Sequence, residues 1–465
     1  MNEMNEYSGV KVLIMGLGLN GGGLASAVFL GKRGAEISVT DLRDEKTLAP
    51  SIEKLEQELK GKNANISYTL GKHDIADFEK ADIVIKNPGV RPDSEYLQKA
   101  KRIETDISLF LSAFDSRLSA VTGTKGKSSV SSAIHWVLKE WHAAPENPEA
   151  GKRSAHLGGN ITISPLNFLD KIKQQDDVVL ELSSYQLGDL RGLINPKTGK
   201  ALLKPRVAVL SAIMPDHLDR YGTMEAYIAD KRVIYQGQDK NDITVTGDDE
   251  WGRSFREESK ARSAVYSSTL SKEMALLVPE KLLVPGRHQN MNLFAAGLAL
   301  LDLGLPQGFI QKSLGLFPGI EHRLEFFHEI KIGNGLVRFY NDSAATIPEA
   351  AAAACAAFEN PPILVCGGTD KDLDFSVLAK AAAHVKDLIL LAGSGSQKLK
   401  ALLENSNIKY SGPFDSLEQV VHKALEKAQA GDVVVLSPGC ASFEMFLNEF
   451  DRGNKWKAAV RKLAD

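Results

Sequence analysis

The strongest chemical signature in the chain is Val121-Thr-Gly-Thr-Lys-Gly-Lys-Ser-Ser129. A short apolar run, Leu118 to Val121, leads into it, and Val130, Ile134, Val137 and Leu138 follow at helical spacing. That is the strand, glycine loop, helix order of a phosphate cradle. Gly123 and Gly126 let the backbone turn its N–H groups toward one anion, and the helix N-terminus adds partial positive charge. With Thr124, Lys125 and Ser129 completing the loop, Lys127 can reach the outer phosphates and the Ser128 hydroxyl can ligate Mg²⁺. The spacing predicts an ATP site. The loop is shorter than the general Walker pattern, because Val121 stands where that pattern has its first glycine.

A carboxylate and a histidine fall where such a loop needs partners. Asp177 to Leu180 reads as a buried strand delivering Glu181-Leu-Ser-Ser-Tyr-Gln186. Parallel sheets hold ligands at the C-terminal ends of their strands, so Glu181 can reach a Mg²⁺ held by Ser128. A further strand, Val207 to Ser211, ends in Ile213-Met-Pro-Asp-His217-Leu-Asp-Arg-Tyr221, which brings His217 to the same edge. Leu157-Gly-Gly-Asn-Ile161 reads as a turn presenting Asn160, and Ala143 to Ser154 as a surface loop without chemistry. Arg323, in Pro318-Gly-Ile-Glu-His-Arg323, can by its charge bridge a polyphosphate during transfer. Lys231, in the amphipathic helix that starts at Met224, reads by itself as surface charge.

The elements that precede this region have their own glycine motif. Val10 to Met15 has a buried-strand pattern, followed by Gly16-Leu-Gly18-Leu19-Asn20-Gly21 and a helical period from Leu24 to Leu30. A second strand, Glu36 to Thr40, ends at Asp41, which matches the dinucleotide fingerprint. The fingerprint places a helix N-terminus against a diphosphate without naming its owner, so a nicotinamide dinucleotide and a uridine diphosphate sugar both fit. The absence of a dehydrogenase signature elsewhere favours the UDP compound. Gly18, Leu19, Asn20, Asp41 and Arg43, with Asn87 from the turn Asn87-Pro-Gly89, are the expected contacts. Strands at Ile66 to Leu70 and Asp82 to Ile85 continue this first sheet.

Taken in order, the compact loop, Glu-Leu-Ser-Ser-Tyr-Gln, Asp-His-Leu-Asp-Arg and Lys231 resemble the Mur ligase family, which includes folylpolyglutamate synthases. The resemblance spans nearly the whole chain. It implies that Lys231 is carbamylated by CO₂, making a carboxylate-like ligand for a second Mg²⁺ shared with His217. The metal set is then Ser128, Glu181, His217 and Lys231, and the catalytic set Lys127, Glu181, His217, Lys231 and Arg323. Pro285-Gly-Arg-His288-Gln-Asn-Met-Asn292 is similar to a family element near the nucleotide, with Gln289 in place of an asparagine, which points to Asn292. Ala212 likewise replaces the asparagine usual before the Asp-His pair. The resemblance also places Asp342 near the ATP ribose or a metal-bound water, and Thr346, Lys371 and Ser442, with the adjacent Phe443, around an incoming amino acid. A lysine, two hydroxyls and backbone amides suit the two carboxylates of glutamate.

The implied reaction joins D-glutamate to UDP-N-acetylmuramoyl-L-alanine at the expense of ATP, through an acyl phosphate, in peptidoglycan precursor synthesis. Ala344, where a lysine is common, and Phe450, one position beyond an expected phenylalanine, leave D- against L-glutamate open. Three other readings compete: a folylpolyglutamate synthase, for which the N-terminal glycine fingerprint is superfluous; an NAD-dependent oxidoreductase, which explains residues 10 to 41 and little else; and a nucleotide-gated binding protein, which has no use for Glu181, His217 and Lys231 together.

A length of 465 residues suggests roughly three domains. The expected architecture is α/β throughout: a Rossmann-like domain for the UDP substrate over 1–112, a central P-loop ATP-binding domain over 113–319, and a Rossmann-like amino-acid-binding domain over 320–465. Strands at Leu336 to Tyr340, Ile363 to Cys366, Leu388 to Ala392 and Val433 to Leu436 predict a parallel sheet in the last. The 43% hydrophobic and 25% charged residues are the balance of an ordinary soluble protein, and a net charge of -3 gives no pull toward nucleic acid or anionic membrane. Cys355, Cys366 and Cys440 have no metal or CxxC spacing, and no apolar run suffices to span a bilayer. A cytoplasmic monomer, with no nucleic-acid or membrane partner, is the expectation.

Overall fold

The computed structural model describes residues 6–463, apart from 20, 62–64, 115, 162, 268–271 and 287. Three sheets organise it. The first contains β1 (Lys11–Met15), β2 (Glu36–Asp41), β3 (Ile66–Leu70), β4 (Ile83–Lys86) and β5 (Ile103–Glu104), in the order β3-β2-β1-β4-β5. All its pairings are parallel. The order reverses between β1 and β4, the crevice where open α/β sheets take their ligands.

The second sheet contains β6 (Arg117–Thr122), β7 (Ala155–Gly159), β8 (Asp177–Glu181), β9 (Val207–Leu210), β10 (Ile243–Gly247) and β11 (Arg262–Tyr266), ordered β11-β10-β9-β6-β8-β7 and parallel throughout. The turn expected at Leu157 is in fact the end of edge strand β7, and Asn160 follows that strand. Gly158 and Gly159 mask the strand pattern, because glycine is a poor strand former in isolation.

The third sheet contains β12 (Glu325–Ile332), β13 (Gly335–Asn341), β14 (Ile363–Cys366), β15 (Asp387–Leu391), β16 (Ser411–Phe414) and β17 (Val433–Leu436), ordered β12-β13-β17-β14-β15-β16. The expectation of a purely parallel sheet needs one correction. β12 pairs antiparallel with β13 through the tight connection Gly333-Asn334, so the sheet is mixed. A two-residue link can join only antiparallel neighbours.

Continuous apolar runs in the central strands reflect burial on both faces. Ile363–Cys366 and Val207–Leu210 are buried at every position. Helices on the sheet faces keep amphipathic stripes: in Glu45–Leu59 the buried residues are Leu48, Ser51, Leu55 and Leu59, and Asp44 caps the helix by accepting from Thr47 N at 2.9 Å. One core cluster runs from the first sheet, including Ile14, through Phe110 on helix Asp106–Ala113, to the second sheet, including Ala120 and Leu180. The third sheet has a cluster on each face, one around Trp456 and one around Phe375. The chain divides into two compact units, Met1–Leu277 with Asn292–Gln311, and Val278–Met291 with Lys312–Asp465. Among the described residues no helix is long and apolar enough to cross a membrane.

Candidate active site

β6 lies between β8 and β9 with its C-terminal end in register with theirs: Val121 stands opposite Glu181 on one side and Val209 on the other. Three segments therefore leave the second sheet at one edge, namely the glycine loop, Glu181 with its following turn, and the segment that leads to His217. Gly126 is the N-cap of helix Lys127–Ala143 with φ 89, a conformation that disfavours any side chain. A Cβ there would also meet Asn292 Oδ1 at 2.3 Å, so the Asn292 side chain lies against the loop. Gly123, at φ 147, passes so close to Ser211 that a Cβ would sit 2.0 Å from its Oγ. The Ser211 hydroxyl in turn donates to Lys125 O at 2.7 Å. The amides of Thr124 and Lys125 both donate to Ala212 O, at 2.8 and 3.2 Å. The backbone of Ala212 thus braces the loop, and the amides of the first helical turn, which lack intrahelical partners, are left for an anion.

Two lysines converge on one oxygen. Lys127 Nζ donates to Gly123 O at 3.1 Å and to Thr124 O at 3.0 Å, and Lys231 Nζ donates to the same Gly123 O at 2.8 Å. Lys231 is 1% exposed, so what reads in the sequence as surface charge is buried. Its ammonium stands over the Tyr227 ring, 4.5 Å from the centroid. Burial, reinforced by the nearby Lys127, lowers the Lys231 pKa to about 7. Lys127 is also lowered, chiefly by burial, while Glu181 pulls the other way.

Glu181 is 1% exposed. Asn160 Nδ2 donates to its Oε1 at 2.8 Å, whereas Oε2 is buried with no hydrogen-bond partner. Such an oxygen is costly unless something cationic meets it, and Mg²⁺ would suit it. Ser128 is half-buried at the start of the same helix. His217 is half-exposed with φ 54, and its ring lies 5.0 Å from that of Tyr185 and 6.2 Å from that of Tyr227. Among the described residues no three His, Cys, Asp or Glu side chains form a metal cage. Mg²⁺ commonly makes do with one or two carboxylates, waters and substrate phosphates, so the donors present fit that ion.

The turn after Glu181 has a structural reason for its sequence. Ser183 and Gln186 form a reciprocal capping box, with bonds of 3.0 and 3.2 Å, that starts helix Ser184–Asp189. This helix brings Tyr185 and Asp189 into place. Asp189 takes both bonds from Lys86 Nζ, at 2.9 and 2.7 Å, a buried pair that ties the end of β4 to the second sheet. Beside it, Arg220 donates to Gly89 O at 3.1 Å and Val90 O at 3.2 Å and stacks over Tyr185 at 3.8 Å. Sequence reasoning passed over Lys86, Asp189, Arg220 and Tyr227. Tyr227 had a signal, since it precedes Lys231 by one helical turn and must share its face.

At the first sheet, the Asp41 carboxylate accepts from Gly18 N at 3.2 Å and Arg43 N at 3.0 Å, fixing the loop around the crevice. Asn87 packs across that crevice, its Cβ 3.2 Å from where a Cβ on Gly16 would stand. Leu19 is exposed. Asn20 lies outside the described residues.

The second unit holds the remaining candidates. Arg323 is exposed, between His322 and Leu324, which have φ 63 and 44. Asp342 accepts from Leu324 N at 3.1 Å and Ser437 Oγ at 2.6 Å, and burial raises its carboxyl pKa to about 6. Thr346, Lys371 and Ser442 follow the C-terminal ends of β13, β14 and β17, which are neighbours in the sheet. Thr369 and Ala441 exchange backbone bonds of 3.0 Å, which joins two of these loops. Ser442 is buried and Phe443 exposed. Phe450 is 5.5 Å from the His322 ring, and Ala344 N donates to His322 O at 3.0 Å.

Three family models match the chain: Mur ligase MurD-like, N-terminal domain, over residues 10–108; Mur ligase middle domain over 121–282; and Mur ligase, glutamate ligase domain, over 322–440. The chain is similar to proteins named UDP-N-acetylmuramoylalanine–D-glutamate ligase from several bacteria. That of Treponema pallidum is 37% identical, covering 97% of this chain and 98% of its own. That of Borreliella burgdorferi is 37% identical with 99% of both chains covered, and that of a Roseiflexus species 36% with 98% and 99%. Among solved structures, a UDP-N-acetylmuramoyl-L-alanyl-D-glutamate–2,6-diaminopimelate ligase covers 93% of both chains at 18% identity and TM-score 0.53. The UDP-N-acetylmuramate-alanine ligase of Thermotoga maritima covers 97% of this chain and 99% of its own, at 18% identity and TM-score 0.52, and the two together bear on the fold alone. With three family models in succession and relatives similar from end to end, the chain belongs to the Mur ligase family.

Proposed function

We propose that this chain is an ATP-dependent ligase that forms the amide between UDP-N-acetylmuramoyl-L-alanine and D-glutamate. The observation that carries the chemistry is the convergence of Lys127 and Lys231 on Gly123 O, at the strand edge that also holds the unpartnered oxygen of Glu181. The name shared by the full-length relatives supports the substrate pair.

A carboxylate is a poor electrophile without a leaving group. Lys127 exchanges its carbonyl partners for the outer phosphates, and the first-turn amides of helix Lys127–Ala143 hold the anion. The alanyl carboxylate attacks the γ-phosphorus in line, forming one P–O bond as the bond to ADP breaks. The glutamate amine then adds to the acyl carbon, loses a proton, and expels inorganic phosphate, with Lys127 near the developing charge. Thr346, Lys371, Ser442 and Phe443 serve the amino acid, and Gly18, Leu19, Asn20, Asp41, Arg43, Asn87 and Asn160 the UDP substrate. Asn292, Asp342 and Arg323 serve the nucleotide.

Lys231 carries a carbamate in the working enzyme. The modification needs a neutral amine: nitrogen bonds to the carbon of CO₂ and releases a proton. A lysine with its pKa lowered to about 7 supplies that amine near neutrality. The change also replaces one of two like charges at Gly123 O by an anion. Ser128, Glu181, His217 and the modified Lys231 would hold two Mg²⁺ ions, which neutralise phosphate charge when bound. The reaction runs in the cytoplasm, where ATP is available, with the chain as a monomer and without membrane or nucleic acid.

The test is phosphate release from ATP with UDP-N-acetylmuramoyl-L-alanine present, comparing D-glutamate, L-glutamate and no amino acid. Release that requires D-glutamate is expected. Release with L-glutamate alone would overturn the specificity, and release with neither would overturn the ligase reading.

A further inference from the structure

After Trp456, Arg452 is the largest fully buried side chain among the described residues. It lies in the first turn of helix Glu449–Lys462, whose N-cap Asn448 accepts from Asp451 N at 2.9 Å. The guanidinium meets only uncharged oxygens in its hydrogen bonds. Nε donates to Ser343 Oγ at 3.0 Å and Nη2 to Ser343 O at 2.8 Å. Nη1 donates to Cys440 O at 3.0 Å and Ala441 O at 3.1 Å. Ser343 Oγ in turn donates a hydrogen bond to Glu449 O at 2.6 Å, so Glu449 joins this network through its backbone. Burial lowers the guanidinium pKa to about 10, which leaves it cationic at neutral pH.

The four contacts fall on two strand exits. Ser343 stands two residues past β13 and three before Thr346; Cys440 and Ala441 stand just past β17 and directly before Ser442. The third exit lies against the same group, since a Cβ on Gly368, after β14 and before Lys371, would be 3.6 Å from Nη1. A planar fork with fixed donor directions can set the spacing of two loops, which the single ammonium of lysine cannot. The position after Ser343 is Ala344, so the β13 loop contributes no cation there.

We propose that Arg452 is a positioning residue for the incoming amino acid: it fixes the spacing of the loops that bear Thr346, Lys371 and Ser442, and sets a positive charge beneath them for a dicarboxylate. This rests on the reading of those loops as the glutamate site. The two parts of the role separate by substitution, because Arg452→Lys keeps charge without the fork and Arg452→Met keeps neither. Ser343→Ala removes one acceptor and leaves the carbonyls.

The experiment is steady-state kinetics on the full-length chain with each substrate varied in turn, alongside thermal melting. Arg452→Met is expected to raise KM for D-glutamate on the order of tenfold or more, the scale of a lost charge-assisted bond, with KM for ATP and for the UDP substrate nearly unchanged. Arg452→Lys should fall between it and the wild type, and Ser343→Ala should raise the same KM by a smaller factor. KM values for all three substrates moving together, or kcat falling with KM for D-glutamate unmoved, would overturn the proposal. If Arg452→Met does not fold, the other two variants decide by the same criterion. Wild-type protein assayed in parallel separates the two failures: no D-glutamate-dependent phosphate release defeats the ligase reading, and release with unmoved D-glutamate KM in the variants defeats this inference alone.

Discussion

At the residue level, burial decides what each titratable group can do. Lys231 and Lys127 share Gly123 O, and one of them must lose its charge or gain an anionic partner. Between pH about 7, its folded value, and 10.5, its ordinary value, Lys231 is deprotonated when folded and protonated when unfolded. Folding therefore releases a proton in that window, and the lysine favours the folded state increasingly as pH rises through it. The same sign would govern the proposed carbamylation at fixed dissolved CO₂, because the neutral amine grows as pH climbs through about 7. Enzyme stripped of CO₂ at low pH should regain activity on adding bicarbonate, with a midpoint near neutrality, and ¹³C NMR with labelled bicarbonate should show a carbamate resonance. Lys231→Ala should abolish turnover and be rescued in part by a short-chain carboxylate; unaffected turnover would contradict the role. Asn160 orients Glu181 from the neighbouring strand end. With Glu181 as the proposed metal ligand, Asn160→Ala should lower kcat roughly 10–100-fold, the range for removing a group that orients such a ligand, with a weaker apparent affinity for Mg²⁺ in a metal titration.

At the level of elements, the glycine loop is held from outside itself. Gly126→Ala brings a left-handed residue and a Cβ against Asn292 Oδ1. It should raise KM for ATP roughly 5- to 30-fold, corresponding to about 1–2 kcal/mol of misplaced loop, while thermal melting without ATP moves only a few degrees. The Lys86–Asp189 pair joins β4 to helix Ser184–Asp189 with both groups buried. Lys86→Met leaves a buried carboxylate without its cation and should cost about 3–5 kcal/mol in chemical denaturation, most of it recovered by adding Asp189→Leu. Equal losses in single and double variants would contradict the assignment. The same contrast between buried and exposed explains what the sequence disclosed. Central strands such as β14 and β17 are buried on both faces and read as unbroken apolar runs at their observed limits. β11 lies at a sheet edge with a largely exposed face and β16 is Ser-Gly-Pro-Phe, so neither carried a pattern to read, while in edge strand β12 the alternation of Glu329-Ile-Lys-Ile332 is short and interrupted by the irregularity at Phe326 to His328. Lys86, Arg220 and Arg452 escaped for a related reason. A lone cation in a sequence defaults to the surface, and only the fold reveals that carbonyls and a carboxylate surround it.

At the level of the molecule, three α/β sheets place three sets of candidates at the C-terminal ends of their strands, the edge such sheets reserve for ligands. The α/β class and the succession of three domains were legible from alternating strand and helix patterns and two glycine motifs. The antiparallel β12 was not, because its register depends on the two-residue link to β13. The first and second sheets share a core and belong to one compact unit. The most direct measurement is mass spectrometry of both products formed from ATP, D-glutamate and UDP-N-acetylmuramoyl-L-alanine labelled with ¹⁸O in the alanyl carboxylate. The account predicts a product heavier by one glutamate residue and one ¹⁸O delivered to inorganic phosphate in each turnover, because the carboxylate oxygen that attacks phosphorus leaves with it. Amide formation with unlabelled phosphate, or phosphate release without the glutamate adduct, would contradict it.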